Sequence, residues 1–393
     1  MKILFHTHEF NIKEGGPCTK RIDSLAKYLS EKGHEITILA SSHNKKTEGE
    51  INRKYKVIYS YSTKKIKKST LHRMLNNFLF GLTSFLKSIF KVKKPDIVVT
   101  TSPPPLISIW GYWIAKIKKA KIVYDIRDIW PDVAIEMGSF SKKSIYYKVF
   151  NFIAKFMYKH SDIITTVTPG KVEKIKKYAK PEKVKYIANG FDDAIVDFEI
   201  DEEVIKQFNL RDKFTVTYIG NVGLAQNLDA LLELAKENIQ NQNLQFIIFG
   251  DGAYKNQLED RITKENINNV ILAGKIDYSK VKTILINSKI SFISLKNNKM
   301  TDSVPTKMFD ALGLGCPVIL LANGDSCKIL EESALGESAQ EIESLKEKFK
   351  YMIENYDKYE ANKENAINYT KNNYSRREIA KKFEMEVVKE VEK

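Results

Sequence analysis

The sequence predicts an α/β protein made of two doubly wound, Rossmann-like domains in tandem. Three observations carry this expectation. Both halves alternate short apolar runs with amphipathic segments, the pattern of parallel strands joined by crossover helices. The 393 residues exceed what one hydrophobic core usually supports. Charge sign and periodicity both change across residues 188–213, ANGFDDAIVDFEIDEEVIKQFNLRDK, which marks the connection. The expected division is 1–190, 191–370 and a terminal segment 371–393 whose helix crosses back to the first domain.

In the first half KILFHT (2–7), EITILA (35–40), KVIYSY (56–61), DIVVTT (96–101), KIVYDI (121–126) and DIITTV (162–167) read as buried strands. Helical spacing fills 17–32, 70–92, 105–118, 143–160 and 170–179. In the second half the strands are FTVTYIG (214–220), LQFIIFG (244–250), NVILAG (269–274), KISFIS (289–294) and CPVILL (316–321), and a charged helix over 375–391 ends the pattern. Doubly wound sheets bind ligands at the carboxyl ends of their strands, so the cleft between two such domains is the expected site.

Composition narrows the function classes. Hydrophobic content of 43% suits a globular chain. Cys18, Cys316 and Cys327 show no C-x-x-C spacing, which argues for a reducing compartment and against a structural metal. MKILFHTHEF enters a strand directly, without a secretory-signal pattern, and no apolar run reaches transmembrane length. Residues 1–190 hold 37 Lys and Arg against 15 Asp and Glu, a net of +22, whereas the remainder holds 27 against 34, a net of −7. One domain therefore faces an anionic surface or substrate.

The segment TDSVPTKMFDALGLGCP (301–317) sets Asp302 and Asp310 eight residues apart across a loop entering a helix. Pro305 suits a first helical turn, Met308, Phe309, Ala311 and Leu312 give an apolar face, and Gly313 and Gly315 let the chain leave. The start of such a helix turns unpaired N–H groups and a positive dipole end toward what precedes it, a setting for a diphosphate to which Lys307 adds a cation. Asp310 lies one turn further in, placed to accept from a ribose diol. The segment resembles the E-x7-E region of retaining family 4 glycosyltransferases, with Asp at both Glu positions.

Further segments extend that resemblance over nearly the whole chain and imply the GT-B fold. Gly15 and Gly16 of GGP (15–17) follow the first strand, where glycine lets backbone approach a phosphate or sugar. DIRDIWPD (125–132) resembles a run that often carries His-Asp. Here Arg127 and Asp128 stand instead, as in the branch of fucosamine-type N-acetylamino sugar transferases of surface polysaccharide assembly. IANGFDD (187–193) resembles the turn that opens the interdomain connection. YIGNVGLAQNLDALL (218–232) resembles the strand, loop and helix that cradle the donor diphosphate, but Asn221 and Gln226 replace the usual Arg and Lys after Gly220. IIFGDGAYKNQL (247–258) supplies Gly250, Asp251 and Gly252. VILAGKIDYSKV (270–281) resembles the loop that reads the uracil edge, through Gly274, Lys275 and Ile276, and ANGDSCKILEESALG (322–336) resembles the segment after the acidic motif. The donor set implied also takes Ser303, Val304, Pro305 and Thr306, the last two with Lys307 matching the branch's Pro-Ser-Lys.

The resemblance implies a UDP-sugar donor and retention of anomeric configuration. Asp128 then orients a donor hydroxyl or takes the acceptor proton, Arg127 meets a phosphate or pairs with Asp128, Asp302 holds sugar hydroxyls and Lys307 meets leaving-group charge. No D-x-D pair occurs in the chain, which favours a reaction without a metal and without another cofactor. His6 and His8 alternate on the first strand with no cluster beside them, and read as packed or cleft residues.

LHRMLNNFLFGLTSFLKSIF (71–90) places Leu71, Met74, Leu75, Phe78, Leu79, Leu82, Phe85, Leu86, Ile89 and Phe90 along one helix face. Lys64, Lys65, Lys67 and Lys68 precede it, and Lys91, Lys93 and Lys94 follow. IYYKVFNFIAKFMYKH (145–160) carries a second stripe, with Tyr147 and Phe152 left over. Both stripes fit packing on the sheet or contact with lipid. With the +22 balance they favour peripheral attachment to the inner membrane face and a lipid-linked saccharide acceptor in capsule or O-antigen assembly. Two rival readings remain open at this point: a basic nucleic-acid binder, for which no familiar module is present, and a UDP-sugar 2-epimerase of the same fold.

Overall fold

The computed structural model describes residues 1–12, 16–42, 53–63, 70–136, 138, 141–296 and 300–392. Gly15 and Lys64, Lys65, Lys67 and Lys68 lie outside the described residues. The chain divides into two compact units, Met1–Asn189 with Arg376–Lys393, and Gly190–Ser375.

The first unit holds a parallel sheet of β1 (Lys2–His6), β2 (Glu35–Ser41), β3 (Lys56–Ser60), β4 (Ile97–Ser102), β5 (Lys121–Ile126), β6 (Ile163–Thr166) and β7 (Val184–Tyr186). Their order is β3-β2-β1-β4-β5-β6-β7. All six positions of β4 are buried, as a strand covered on both faces requires, and this is why it reads as an unbroken apolar run. The order reverses between β1 and β4, so a ligand-binding crevice is expected beyond their carboxyl ends.

The second unit's parallel sheet contains β8 (Phe214–Ile219), β9 (Leu244–Phe249), β10 (Val270–Gly274), β11 (Ile290–Ser294), β12 (Val318–Leu321) and β13 (Gly336–Ala339), in the order β10-β9-β8-β11-β12-β13. Here the reversal falls between β8 and β11. The loop after β8 carries Asn221 and Gln226, and the loop after β11 leads to Asp302 and Lys307.

One helix departs from its sequence pattern. Thr70–Lys91 buries Asn76, Phe80, Gly81, Ser84 and Ser88, while Leu71, Leu75, Phe78, Leu86, Ile89 and Phe90 of the apolar stripe are exposed. The cause lies on β1 and the turn after it. His6 Nε2 meets Ser84 Oγ at 2.8 Å and His8 Nε2 meets Asn76 Nδ2 at 3.0 Å, so the inward helix face sets polar groups beside Phe80, while Met74 and Phe85 of the stripe pack against the first unit's core. Burial drops the His6 imidazole to about 3, aided by His8, and its ring stacks on Phe80. Both histidines are packed residues, and among the described residues no group of three His, Cys, Asp or Glu is placed to hold a metal ion.

Candidate functional site

The second unit gathers most of the sequence-predicted donor residues at the carboxyl edge of its sheet. β8, β9 and β10 are neighbours, and each gives way to a glycine with positive φ: Gly220 at 146°, Gly250 at 154° and Gly274 at 75°. Side chains are excluded there for a second reason. A Cβ on Gly250 would run into the Gly220 carbonyl, and one on Gly252 into the Val222 carbonyl. Backbone bonds tie the three loops together, from Gly220 N to Phe249 O at 2.9 Å, Val222 N to Asp251 O at 3.0 Å and Gly250 N to Gly274 O at 2.7 Å. The result is a rim of closely spaced backbone, which suits approach by a bulky anion.

Lys307 reaches this rim from the first turn of the helix Thr306–Gly313. Pro305 is its N-cap residue, one position earlier than expected, with ψ of 125°. Met308, Phe309, Ala311 and Leu312 are buried and fix the helix, and Gly315 at φ 72° turns the chain away. The loop before the helix is pinned by Asp325 N donating to Thr301 O at 2.8 Å. Asp302 in that loop is buried, and Asp310 is half-buried, as are Ser303, Val304 and Thr306.

The Lys307 ammonium is the unusual group. Its Nζ is buried with no hydrogen-bond partner in the protein, and lies 3.7 Å from the centroid of the Tyr218 ring. It stands 2.9 Å from where a Cβ on Gly220 would sit. Burial lowers its pKa from 10.5 to about 7. A cation held this way is a preorganised receptor for an anion. The neutral pair beside it closes on itself, Asn221 Nδ2 donating to Gln226 Oε1 at 3.4 Å. Asp251 accepts from Gly252 N at 2.9 Å and approaches the exposed Lys275 at 4.0 Å. Ile276 packs into the apolar cluster with Ile219 and Phe249.

In the first unit, Gly16 is the N-cap of the helix Pro17–Glu31, with ordinary extended backbone. Arg127 Nη2 donates to Pro103 O at 2.7 Å instead of pairing with Asp128, and its Nε is buried without a partner. Asp128 is half-buried on the same loop. Sequence reasoning missed three residues here and in the rim. Arg21 and Asp125 form a buried pair at 2.9 Å, with Thr165 Oγ1 also donating to Asp125 at 2.6 Å. Asp125 was visible as the one charge inside an apolar strand. Tyr218, whose hydroxyl donates to Asn221 O at 2.6 Å, looked like an ordinary strand aromatic.

Comparison with known proteins bears on both units. Residues 19–195 match the family described as Glycosyltransferase Family 4, and residues 200–369 match Glycosyl transferases group 1. The "Probable glycosyltransferase WbjE" of Pseudomonas aeruginosa is 20% identical over 272 residues, 68% of this chain and 66% of that protein. Among solved structures, sucrose-phosphate synthase of Thermosynechococcus elongatus aligns with a TM-score of 0.80 at 12% identity, covering 98% of each chain. Anabaena Alr3699/HepE in complex with UDP aligns at 0.75 with 15% identity, over 99% of this chain and 100% of that one. The two parallel-sheet units are thus the Rossmann-like domains of a GT-B fold.

Proposed function

Taking as premise that the chain is a glycosyltransferase of the GT-B type, we propose that it transfers an N-acetylamino sugar from a UDP-sugar to a saccharide on a polyprenyl diphosphate. The reaction retains the anomeric configuration and needs no metal, and the chain attaches peripherally to the inner membrane face during capsule, O-antigen or related assembly. The observation that carries this reading is the buried, unpartnered Lys307 ammonium beside Gly220. With Asn221 and Gln226 neutral, it brings an ammonium to 2.9 Å from where a Cβ on Gly220 would sit, at a rim where a diphosphate needs positive charge. The HepE structures with UDP and with UDP-glucose support a uridine donor.

In the proposed reaction an acceptor oxygen bonds to the anomeric carbon on the face the diphosphate leaves. The anomeric C–O bond breaks, UDP departs with the electron pair, and the acceptor proton passes to the departing phosphate oxygen. Lys307 and the N-terminus of its helix meet the charge that develops there. Asp302 holds sugar hydroxyls, Asp310 the ribose, and Asp128 with Arg127 serves the donor sugar and phosphate. A thermal-shift panel tests the reading, because a ligand that binds only the folded state raises its melting temperature. UDP and UDP-N-acetylamino sugars should stabilise the chain without divalent metal, and preference for GDP or strict need for manganese or magnesium would overturn it.

A further inference from the structure

In the first unit the helices Thr70–Lys91, Pro105–Lys118 and Ile145–His160 lie side by side. Phe78 meets Trp110 edge-on at 5.5 Å, Tyr112 meets Phe156 at 4.9 Å, and a Cβ on Gly81 would collide with the Trp110 indole. Lys118 caps the first of these helices, donating to Ile89 O at 3.1 Å and Val92 O at 2.9 Å. Their sequences contain eight Lys and Arg and no Asp or Glu at all. Their outward sides expose large apolar groups, among them the aromatics Phe90 at 81%, Phe152 at 69% and Trp113 at 50%. Arg73, Lys91, Lys116, Lys148, Lys155 and Lys159 are exposed on the same helices.

We propose that this three-helix face is the surface by which the chain docks on an anionic lipid bilayer. The inference rests on the peripheral attachment proposed above and identifies the residues that make it. The helix Thr70–Lys91 supplies the physical reason, because Phe80, Met74 and Phe85 suffice for its inward packing while Leu71, Leu75, Phe78, Leu86, Ile89 and Phe90 stay outside. Such a distribution lowers free energy only when the outer side meets an apolar phase. Among the described residues no helix is long and apolar enough to cross a membrane, so these helices lie in the interface. The basic side chains choose the partner. Helices that carry eight cations and no carboxylate of their own are attracted to anionic headgroups, and long lysine stems let the charge reach them while aromatic rings sink below. A second protein would bury these ammonium groups against carboxylates of its own, and a second copy of this face would set like charges together.

The test is flotation of the full chain with vesicles of phosphatidylcholine alone and of equal parts phosphatidylcholine and phosphatidylglycerol. Binding should appear with the anionic vesicles and weaken as salt is added. The triple variant Phe90→Ser, Trp113→Ser, Phe152→Ser should lower that partition by about a hundredfold or more while leaving the UDP thermal shift unchanged. Wild-type binding that the variant does not reduce would overturn this surface while leaving attachment intact. No wild-type binding to either vesicle would overturn attachment itself. A wild-type dimer that the variant converts to monomer, seen by light scattering, would assign the face to a second copy instead. Since all three residues are exposed, the variant is expected to fold, and an unchanged melting temperature checks this.

Discussion

Replacing Lys307 with Met should make the ligand-free protein more stable and the donor site far weaker. The lowering of its pKa from 10.5 to about 7 corresponds to a penalty on the buried ammonium of about 5 kcal/mol. The Tyr218 ring returns part of this, about 2 kcal/mol for a desolvated cation over an aromatic face. Methionine keeps the packing without the charge, so a net gain of about 3 kcal/mol is expected, a rise of roughly 5 to 10 °C in melting temperature. The sign depends on pH. Below about 7 the lysine is protonated both folded and unfolded, and the wild type bears the whole penalty. Between there and 10.5 the folded chain releases the proton while the unfolded chain keeps it. Wild-type stability therefore rises with pH across that window, and the advantage of Lys307→Met shrinks. Loss of the cation should weaken UDP binding or transition-state stabilisation by roughly 2 to 4 kcal/mol. Because a bound diphosphate favours the ammonium, wild-type binding should take up a proton above pH 7, measurable by calorimetry in buffers of different ionisation heat. The reasoning is refuted if Lys307→Met is no more stable and keeps near-normal turnover while Asn221→Ala or Gln226→Ala abolishes it, for then the amides are the essential donors.

Asp310→Ala should weaken UDP binding by about 1.5 to 3 kcal/mol, the worth of hydrogen bonds to a charged group, and titration calorimetry would show it with the melting temperature little changed. Asp125→Asn should cost about 3 to 5 kcal/mol of stability, because Arg21 would keep a buried charge without its counter-ion. Burial alone would raise the Asp125 carboxyl, but the Arg21 guanidinium and Thr165 outweigh it and hold it below the usual carboxylate value. The stability it contributes is thus present above that value and lost as pH falls through the folded one. Acid unfolding followed by circular dichroism should therefore be shallower in the variant.

Much of the fold was legible because buried parallel strands leave continuous apolar runs. Eleven such runs read from the sequence each overlap a strand in the structure. β7 and β13 escaped notice for a physical reason. VKY and GESA sit at sheet edges and are only partly buried, so no apolar signal marks them. The helix Thr70–Lys91 was found, but its orientation was not. An apolar stripe shows where a helix prefers not to meet water, and only the His6 and His8 contacts reveal that Asn76 and Ser84 turn inward with Phe80 while much of the stripe stays outside. Lys307 was readable from its place behind Pro305 and Thr306. Its burial was not, since that depends on Tyr218 and Gly220, which precede it by more than eighty positions.

On the proposed reading one buried lysine stands in for two loop cations, and this would change how a donor is held. An Arg and a Lys on an exposed loop would be hydrated and screened, and each would attract a diphosphate only weakly across water. A desolvated ammonium acts through a lower dielectric, so its attraction at the same distance is several times larger. The cost appears in the ligand-free fold as the depressed pKa of Lys307. Diphosphate binding at Lys307, as proposed, would then remove a penalty as well as make a contact, and would couple donor affinity to pH and to stability in a way that loop cations would not. That coupling also sets the test of an engineered reversal. Restoring Arg at position 221 would place a second cation near Gly220 and disrupt the Asn221 to Gln226 bond. It would push the Lys307 ammonium further toward its neutral form and should lower the pH at which donor binding fails.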